Sequence, residues 1–238
     1  MIDSYAHNFD TTTVRQAFEI SSNVGIAKMM NKYYADGKNE GDYLDNLDDF
    51  HLNNKTGIEI KGEAKPYIKQ AWNEEDEWSG TTIPWMSIGY EVTITPLQLL
   101  AFYNAVANDG IMMKPFLAKE VQQFGETIEK FPVKQIGRSR IASRKTIENA
   151  QILLEGVVER GTARKYKSDR YKFAGKTGTA QLNYKKIKDQ RIVAGHQASF
   201  VGYFPVNNPK YSCIVVLNTP RGGSYYGGSV ALPVFSDI

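Results

Sequence analysis

A single cysteine, Cys213, stands in 238 residues, so an intrachain disulfide and a zinc site built from cysteines are both excluded. Histidine is almost as scarce, and His7, His51 and His196 are too scattered along the chain to suggest a metal cluster. No metal and no other cofactor is expected. An excess of one charge is lacking too: Lys plus Arg number 29 against 26 Asp plus Glu, and a net +3 is too small to mark a nucleic-acid surface. Nucleic acid is therefore not an expected partner. No run approaches the roughly 20 apolar residues of a membrane span, and the N-terminus has no basic region followed by an apolar stretch. An export signal or anchor is expected outside these residues, and Ile2-Asp3-Ser4-Tyr5 reads like the middle of a domain.

What the chain does have is a sizeable apolar fraction, 42%, enough for the core of one domain. Thr11 to Tyr34 has the pattern of a broken amphipathic helix, with Val14, Ala17 and Phe18 on one stripe, Val24, Ala27, Met30 and Tyr34 on the next, and Ser21-Ser22-Asn23 at the break. Residues 36–82 are polar, with Tyr43, Leu44 and Leu47 as one short helical patch and Trp72 and Trp78 set among acids, and are expected to cover the core. Thr95-Pro96 is a strong helix start, because threonine caps the first amides and proline is pre-set for the first helical position. Leu99, Leu100, Tyr103, Val106 and Ala107 follow at helical spacing until Gly110. A second helix is expected from Ser143 to just before Gly161, carrying Ile147, Ala150, Leu153, Leu154, Val157 and Val158 inward.

After about residue 170 the period becomes extended. Tyr171 to Asn183, Gln197 to Phe204 and Lys210 to Thr219 read as three strands, the last two a hairpin. On the third, both alternating faces carry apolar groups, so helices should cover the sheet on both sides. The Gly222 to Gly228 loop leads into Val230-Ala231-Leu232-Pro233-Val234-Phe235, the start of a closing helix.

Two clusters carry chemistry. Lys176-Thr177-Gly178-Thr179 on the first strand places an ammonium, two hydroxyls and a side-chain-free position on an extended edge. Such an edge can hold a carboxylate while a substrate backbone lies along it. A phosphate-binding loop is excluded, because it needs a glycine at position 170, which is Arg170, and a helix rather than a strand afterwards. The other triplet, Lys55-Thr56-Gly57, has no flanking apolar strand and reads as a surface turn. Ser21-Ser22-Asn23 is either a plain helix cap or a proton relay at Ser21 with an amide contact at Asn23. A Gly-x-Ser-x-Gly nucleophile elbow is absent.

Ser-x-Asn followed far downstream by Lys-Thr-Gly is the pairing of the penicillin-recognising serine enzymes. Three longer stretches agree: Ser87-Ile88-Gly89-Tyr90 through Thr95-Pro96-Leu97-Gln98 to Gly110, Val157-Val158 through Gly161-Thr162-Ala163 to Gln181, and Ala198 to Pro205. From Ile2 to Ile238 the chain resembles the transpeptidase domain of class B penicillin-binding proteins. The resemblance implies an α+β fold of the penicillin-binding transpeptidase and β-lactamase type, an antiparallel sheet covered by helices, incomplete at both ends. It implies one partial domain over 1–238, helical to about 170 and sheet-forming from about 171. By the same likeness Ser21, Asn23 and Lys176 are catalytic, and Thr177, Gly178 and Thr179 bind substrate. The partners would be a peptidoglycan stem peptide ending in D-Ala-D-Ala and, in the intact parent, β-lactams. The location would be the periplasmic side of the inner membrane, on an anchor outside this chain.

One departure matters. The family's nucleophile lies in Ser-x-x-Lys, and no Ser-x-x-Lys occurs in these 238 residues. Two classes follow: part of a peptidoglycan-crosslinking enzyme of a division-type parent, or a non-catalytic scaffold or substrate-sensing module of the same machinery. With the family's N-terminal strands outside the chain, strand 210–219 is expected to expose its outer edge and to self-associate, or to pair with a rearranged segment of its own chain.

Overall fold

The computed structural model describes residues 11–35, 39–137, 139–182, 185–187, 190–192 and 195–238; the expectation for residues 2–5 lies outside them. The first helical run breaks where its sequence does. Thr13 caps α1 (Val14–Glu19) by accepting the Gln16 N–H at 3.1 Å, and Ser22 caps α2 (Asn23–Tyr34) by accepting the Gly25 N–H at 3.0 Å. Val14, assigned to the inward stripe by periodicity, is exposed instead: α1 is short, and only Ala17 and Glu19 turn fully inward.

The polar stretch forms a small satellite. In α3 (Glu40–Asp49) Leu44 is buried, and it joins Ile68 of the ribbon β1 (Tyr67–Ile68) with β2 (Val92–Thr93) and Met86 of α4 (Thr82–Met86) in one cluster. Trp78 closes it, its indole N–H donating to Glu40 at 3.0 Å. Helix α5 (Pro96–Ala107) opens on a capping box in which Thr95 and Gln98 exchange hydrogen bonds, and the buried Gln98 amide also donates to the Asn54 carbonyl at 2.6 Å. A two-stranded ribbon, β3 (Glu120–Gln123) with β4 (Glu126–Lys130), projects with nearly all its side chains exposed. Helix α6 (Arg144–Glu159) follows its Ser143 cap and buries Ile147, Leu154, Val157 and Val158.

The main sheet runs in the order β5 (Ala174–Leu182), β8 (Gly195–Phe204), β9 (Tyr211–Asn218), all antiparallel, with the hairpin β6 (Lys185–Ile187) and β7 (Gln190–Ile192) between the first two in sequence. The first strand starts at Ala174, three residues after the sequence pattern suggests; Tyr171 is exposed and only Phe173 turns inward. Among the described residues this sheet has three strands. Helix α7 (Gly227–Asp237) packs Ala231, Leu232 and Phe235 against Phe173 and Phe200 on one face, with Cys213, Val215 and Leu217 beside them. Helix α5 covers the other face, where Asn104 donates to Ser212 Oγ at 3.1 Å. Phe18 touches both main clusters and so ties the α1 turn to the centre of the molecule.

Among the described residues, β9 has no strand partner on its outer edge. Thr219 N–H donates inward to the His196 carbonyl at 2.7 Å. By alternation the N–H groups of Ser212, Ile214, Val216 and Asn218 point outward. No charge or proline interrupts the strand, so a second copy is expected to pair with it. Light scattering after gel filtration should show dimers growing with concentration, and Val216→Pro, which removes one outward donor, should restore monomers. A monomer at every concentration in the unmodified chain would refute this.

Candidate active site

The turn between α1 and α2 divides its labour. Ser22 is buried and does the capping, which leaves Ser21 uncommitted. Ser21 sits at φ 59°, in the left-handed region that non-glycine residues seldom occupy, and such local strain persists only where the surroundings hold it. The hold is visible: Ser21 N–H donates to the Phe18 carbonyl at 3.1 Å and Ser22 N–H to that of Ala17 at 2.8 Å. Gly25 lets the two helices close, since a Cβ there would lie 2.8 Å from that of Ala17. Asn23 is the first residue of α2.

Strand β5 brings the second cluster to the same place. Lys176 Nζ donates to Ser21 Oγ at 2.5 Å, across 155 residues of sequence, and to the Thr177 carbonyl at 3.2 Å, with the Phe18 ring 5.9 Å away. Part of the lysine remains accessible, but the packing strips enough hydration from the ammonium to lower its pKa to about 8. Thr177 Oγ1 and Thr162 Oγ1 share a hydrogen bond at 2.9 Å, and Thr179 Oγ1 accepts the Gly227 N–H at 3.1 Å. Ser21, Asn23, Thr177 and Thr179 line one cavity of about 790 Å³. Gly178 does not line it: the room it leaves is taken by Ser199 on β8, whose Oγ would be 2.5 Å from an added Cβ.

A third group holds the two clusters in register, and neither motif contains it. Glu19, buried at the end of α1, takes two hydrogen bonds from Arg160, Nη2 to Oε1 at 2.5 Å and Nε to Oε2 at 3.1 Å. Its carbonyl accepts the Thr162 N–H at 3.1 Å. The segment after α6 thus grips the Ser21 turn through Glu19 and the Lys-Thr-Gly strand through Thr162. Glu19 lies off the Val14, Ala17 and Phe18 stripe, at a position where periodicity leaves a charged residue unremarkable, so the sequence carried no signal for this link.

The triplet at Lys55 is more than a surface turn. Thr56 is buried, and its N–H and hydroxyl each donate to Glu63 at 2.7 Å while Gly57 N–H donates at 3.0 Å. Its carboxylate-holding capacity is spent on its own chain. Chemically, the main cleft can pass a proton between Ser21 and Lys176 and hold an anionic group against Thr177 and Thr179.

Lys176 gives the cleft a pH dependence. Its charge disappears as pH rises through about 8, so an anionic ligand held there should bind more weakly above that pH and, when bound, should push the midpoint up. NMR titration of the Lys176 side chain with and without ligand reads both effects. A midpoint in the ordinary lysine range would refute the desolvation.

The model for the penicillin binding protein transpeptidase domain matches residues 2–238. Stage V sporulation protein D of Bacillus subtilis is 32% identical over 81% of this chain and 29% of its own length. Peptidoglycan D,D-transpeptidase FtsI of Escherichia coli is 28% identical over 97% of this chain and 35% of its own. The chain spans about a third of the length of the curated relatives it matches. Among solved structures, penicillin binding protein 3 of Mycobacterium tuberculosis in its apo form superposes with a TM-score of 0.79 at 29% identity, covering 99% of this chain and 52% of that one. The same protein complexed with aztreonam gives 0.77. With an antiparallel sheet between helices and the Ser-x-Asn turn joined to the Lys-Thr-Gly strand, this chain belongs to the penicillin-binding protein transpeptidase domain family.

Proposed function

We propose that this chain supplies the Ser-x-Asn and Lys-Thr-Gly walls of a peptidoglycan D,D-transpeptidase site in a longer, division-type protein. The observation that carries this reading is the Lys176 Nζ to Ser21 Oγ hydrogen bond. In the proposed reaction a serine outside these residues attacks the carbonyl between two D-alanines, the C–N bond breaks, and the terminal D-alanine leaves with a proton. An amine of a second stem peptide then attacks the acyl-serine and regenerates the hydroxyl. Ser21, hydrogen-bonded to Lys176, relays the proton to the leaving amine. Asn23 contacts the substrate amide. Thr177 and Thr179 hold the terminal carboxylate, and Gly178 between them packs against Ser199 of β8. The Thr179 N–H serves as one oxyanion donor. β-Lactams, which the M. tuberculosis protein binds in its aztreonam and ampicillin complexes, would acylate the same serine.

The 238 residues form one partial domain of an envelope protein, on the periplasmic face of the inner membrane. The proposal includes an anchor in a segment outside this chain; among the described residues no helix is long and apolar enough to cross a membrane.

A fluorescent penicillin tests the reading. The chain alone should give no heat-stable band on a denaturing gel, whereas a version extended upstream through a Ser-x-x-Lys should be labelled. A band at the mass of the unextended chain would place the nucleophile inside it. An extended protein that stays unlabelled would favour a non-catalytic module.

A further inference from the structure

The Ser21 hydroxyl has the setting of a nucleophile in its own right. Ser21 is exposed and lines the cavity, whereas Lys176 does not line it and reaches Ser21 Oγ from the strand side, at 2.5 Å. A base within hydrogen-bond reach of a hydroxyl, and itself oriented by a third group, is what activates a serine. Here the third group is the Thr177 carbonyl, which accepts from the same amine at 3.2 Å. The serine does not ride on a free loop: its turn is held at φ 59° by hydrogen bonds to the Phe18 and Ala17 carbonyls. Ser21 also stands one residue before the Ser22 cap of α2, a helix of 12 residues. Negative charge developing on its oxygen therefore falls at the positive end of that helix.

We propose that Ser21 is itself a nucleophile, with Lys176 as its base, and takes an acyl group from a small uncharged activated ester or a phosphonyl group from its phosphorus analogue. This activity is separate from the proposed transpeptidation, because it needs no residue outside the chain. In the step, Ser21 Oγ bonds to the acyl carbon, its proton passes to the neutral Lys176 amine, and the C–O bond to the leaving group breaks, expelling an alkoxide or phenolate. The amine must be unprotonated, a form it reaches as pH rises through about 8. The charged and titratable groups lining the cavity are Arg15, Glu19, Arg160, Arg164, Lys165 and Tyr226. Glu19 has both carboxylate oxygens bound by Arg160, so among the described residues no free carboxylate of the cavity wall favours the ammonium. A penicillin is steered elsewhere, since its carboxylate belongs at Thr177 and Thr179 and its carbonyl at the upstream serine; an uncharged probe is not.

The probe is an uncharged fluorophosphonate carrying a fluorophore, applied to the 238-residue chain. Attack by Ser21 Oγ on phosphorus breaks the P–F bond, fluoride leaves, and Lys176 takes the hydroxyl proton. The adduct is stable, so peptide mapping by mass spectrometry locates it. Ser229 is the internal control: it is exposed and lines the same cavity, and among the described residues its hydroxyl has no basic partner. Labelling is expected at Ser21, about 10²-fold or more faster than at Ser229, the least that a positioned base contributes. Its rate should rise with pH and level off above about 8, as Lys176 loses its proton. Ser21→Ala should remove the label, and Lys176→Ala should slow it by about 10²–10⁴ while the amide NMR spectrum stays folded. Three results on the unmodified chain would each overturn the proposal: no adduct at Ser21, equal labelling of Ser21 and Ser229, or a rate that climbs into the ordinary lysine range. Labelling of Lys176→Ala at the unmodified rate would overturn it as well.

Discussion

In a chain extended to include its nucleophile, Lys176→Ala or Asn23→Ala should cut β-lactam acylation by about 10²–10⁴, the range for losing a positioned proton-transfer or polar contact. Melting temperature should stay within about 2 °C for either variant, as expected for polar changes at a cleft. The Lys176 ammonium is partly stripped of water and pays that cost against one serine hydroxyl and one carbonyl, so its removal relieves desolvation as much as it removes hydrogen bonds. Asn23 lies on the cavity wall, and the cap of its helix is made by Ser22. Ser22→Ala is the informative contrast. It should lower stability by about 1 kcal/mol through the lost cap and affect acylation only as far as the Ser21 turn loosens. Acylation unchanged in Lys176→Ala would remove the proposed role, and insoluble protein in both alanine variants would make the two residues structural.

Much of this architecture is legible in the sequence, and the parts that are not share a physical cause. Helices α5 and α6 announced themselves through caps and periodicity, and the β8–β9 hairpin through runs of β-branched and aromatic residues, because those signals are local. The α1–α2 break was equally local, but which serine caps and which faces the cleft depends on the left-handed turn at Ser21, and two adjacent serines do not reveal that. Val14 illustrates the limit of periodicity: a helix of six residues is too short for its stripe to fix which face is buried. The β3–β4 ribbon was invisible because its strands face solvent and carry no apolar alternation. At the site, the motifs named Ser21, Asn23, Lys176, Thr177 and Thr179, and the fold brings these to one cleft. Glu19, Arg160 and Thr162, which set the distance between the motifs, join through pairings 141 and 15 residues apart that no sequence spacing encodes.

That bracket is also where a single methyl group should do the most structural damage. Gly161→Ala should destabilise the chain by about 2–3 kcal/mol, a typical overpacking cost, and lower its melting temperature by about 5–10 °C. A Cβ at Gly161 would lie 2.1 Å from the Glu19 carbonyl oxygen, 2.7 Å from its carbon and 2.9 Å from Val157 Cα, all of them backbone atoms that no rotamer change can move. The Glu19 carbonyl is the acceptor for Thr162 N–H, so pushing the two segments apart breaks that bond and draws Thr162 away from Thr177. Gly156→Ala meets a softer obstacle, the Glu19 carboxylate at 2.1 Å, but that carboxylate is buried and bound by Arg160, and moving it strains the ion pair. Gly41→Ala is the control with the opposite sign. Its Cβ meets nothing within 4 Å and it sits inside α3, where alanine is better than glycine by about 0.5–1 kcal/mol. The decisive comparison is the Lys176 side-chain titration in Gly161→Ala below its melting temperature. Separation of the two walls should weaken the hydrogen bond to Ser21 and rehydrate the ammonium, moving the midpoint up from about 8 toward the ordinary lysine value. A destabilised chain whose Lys176 midpoint does not move would show that the loop after α6 supports the fold without setting the geometry of the cleft.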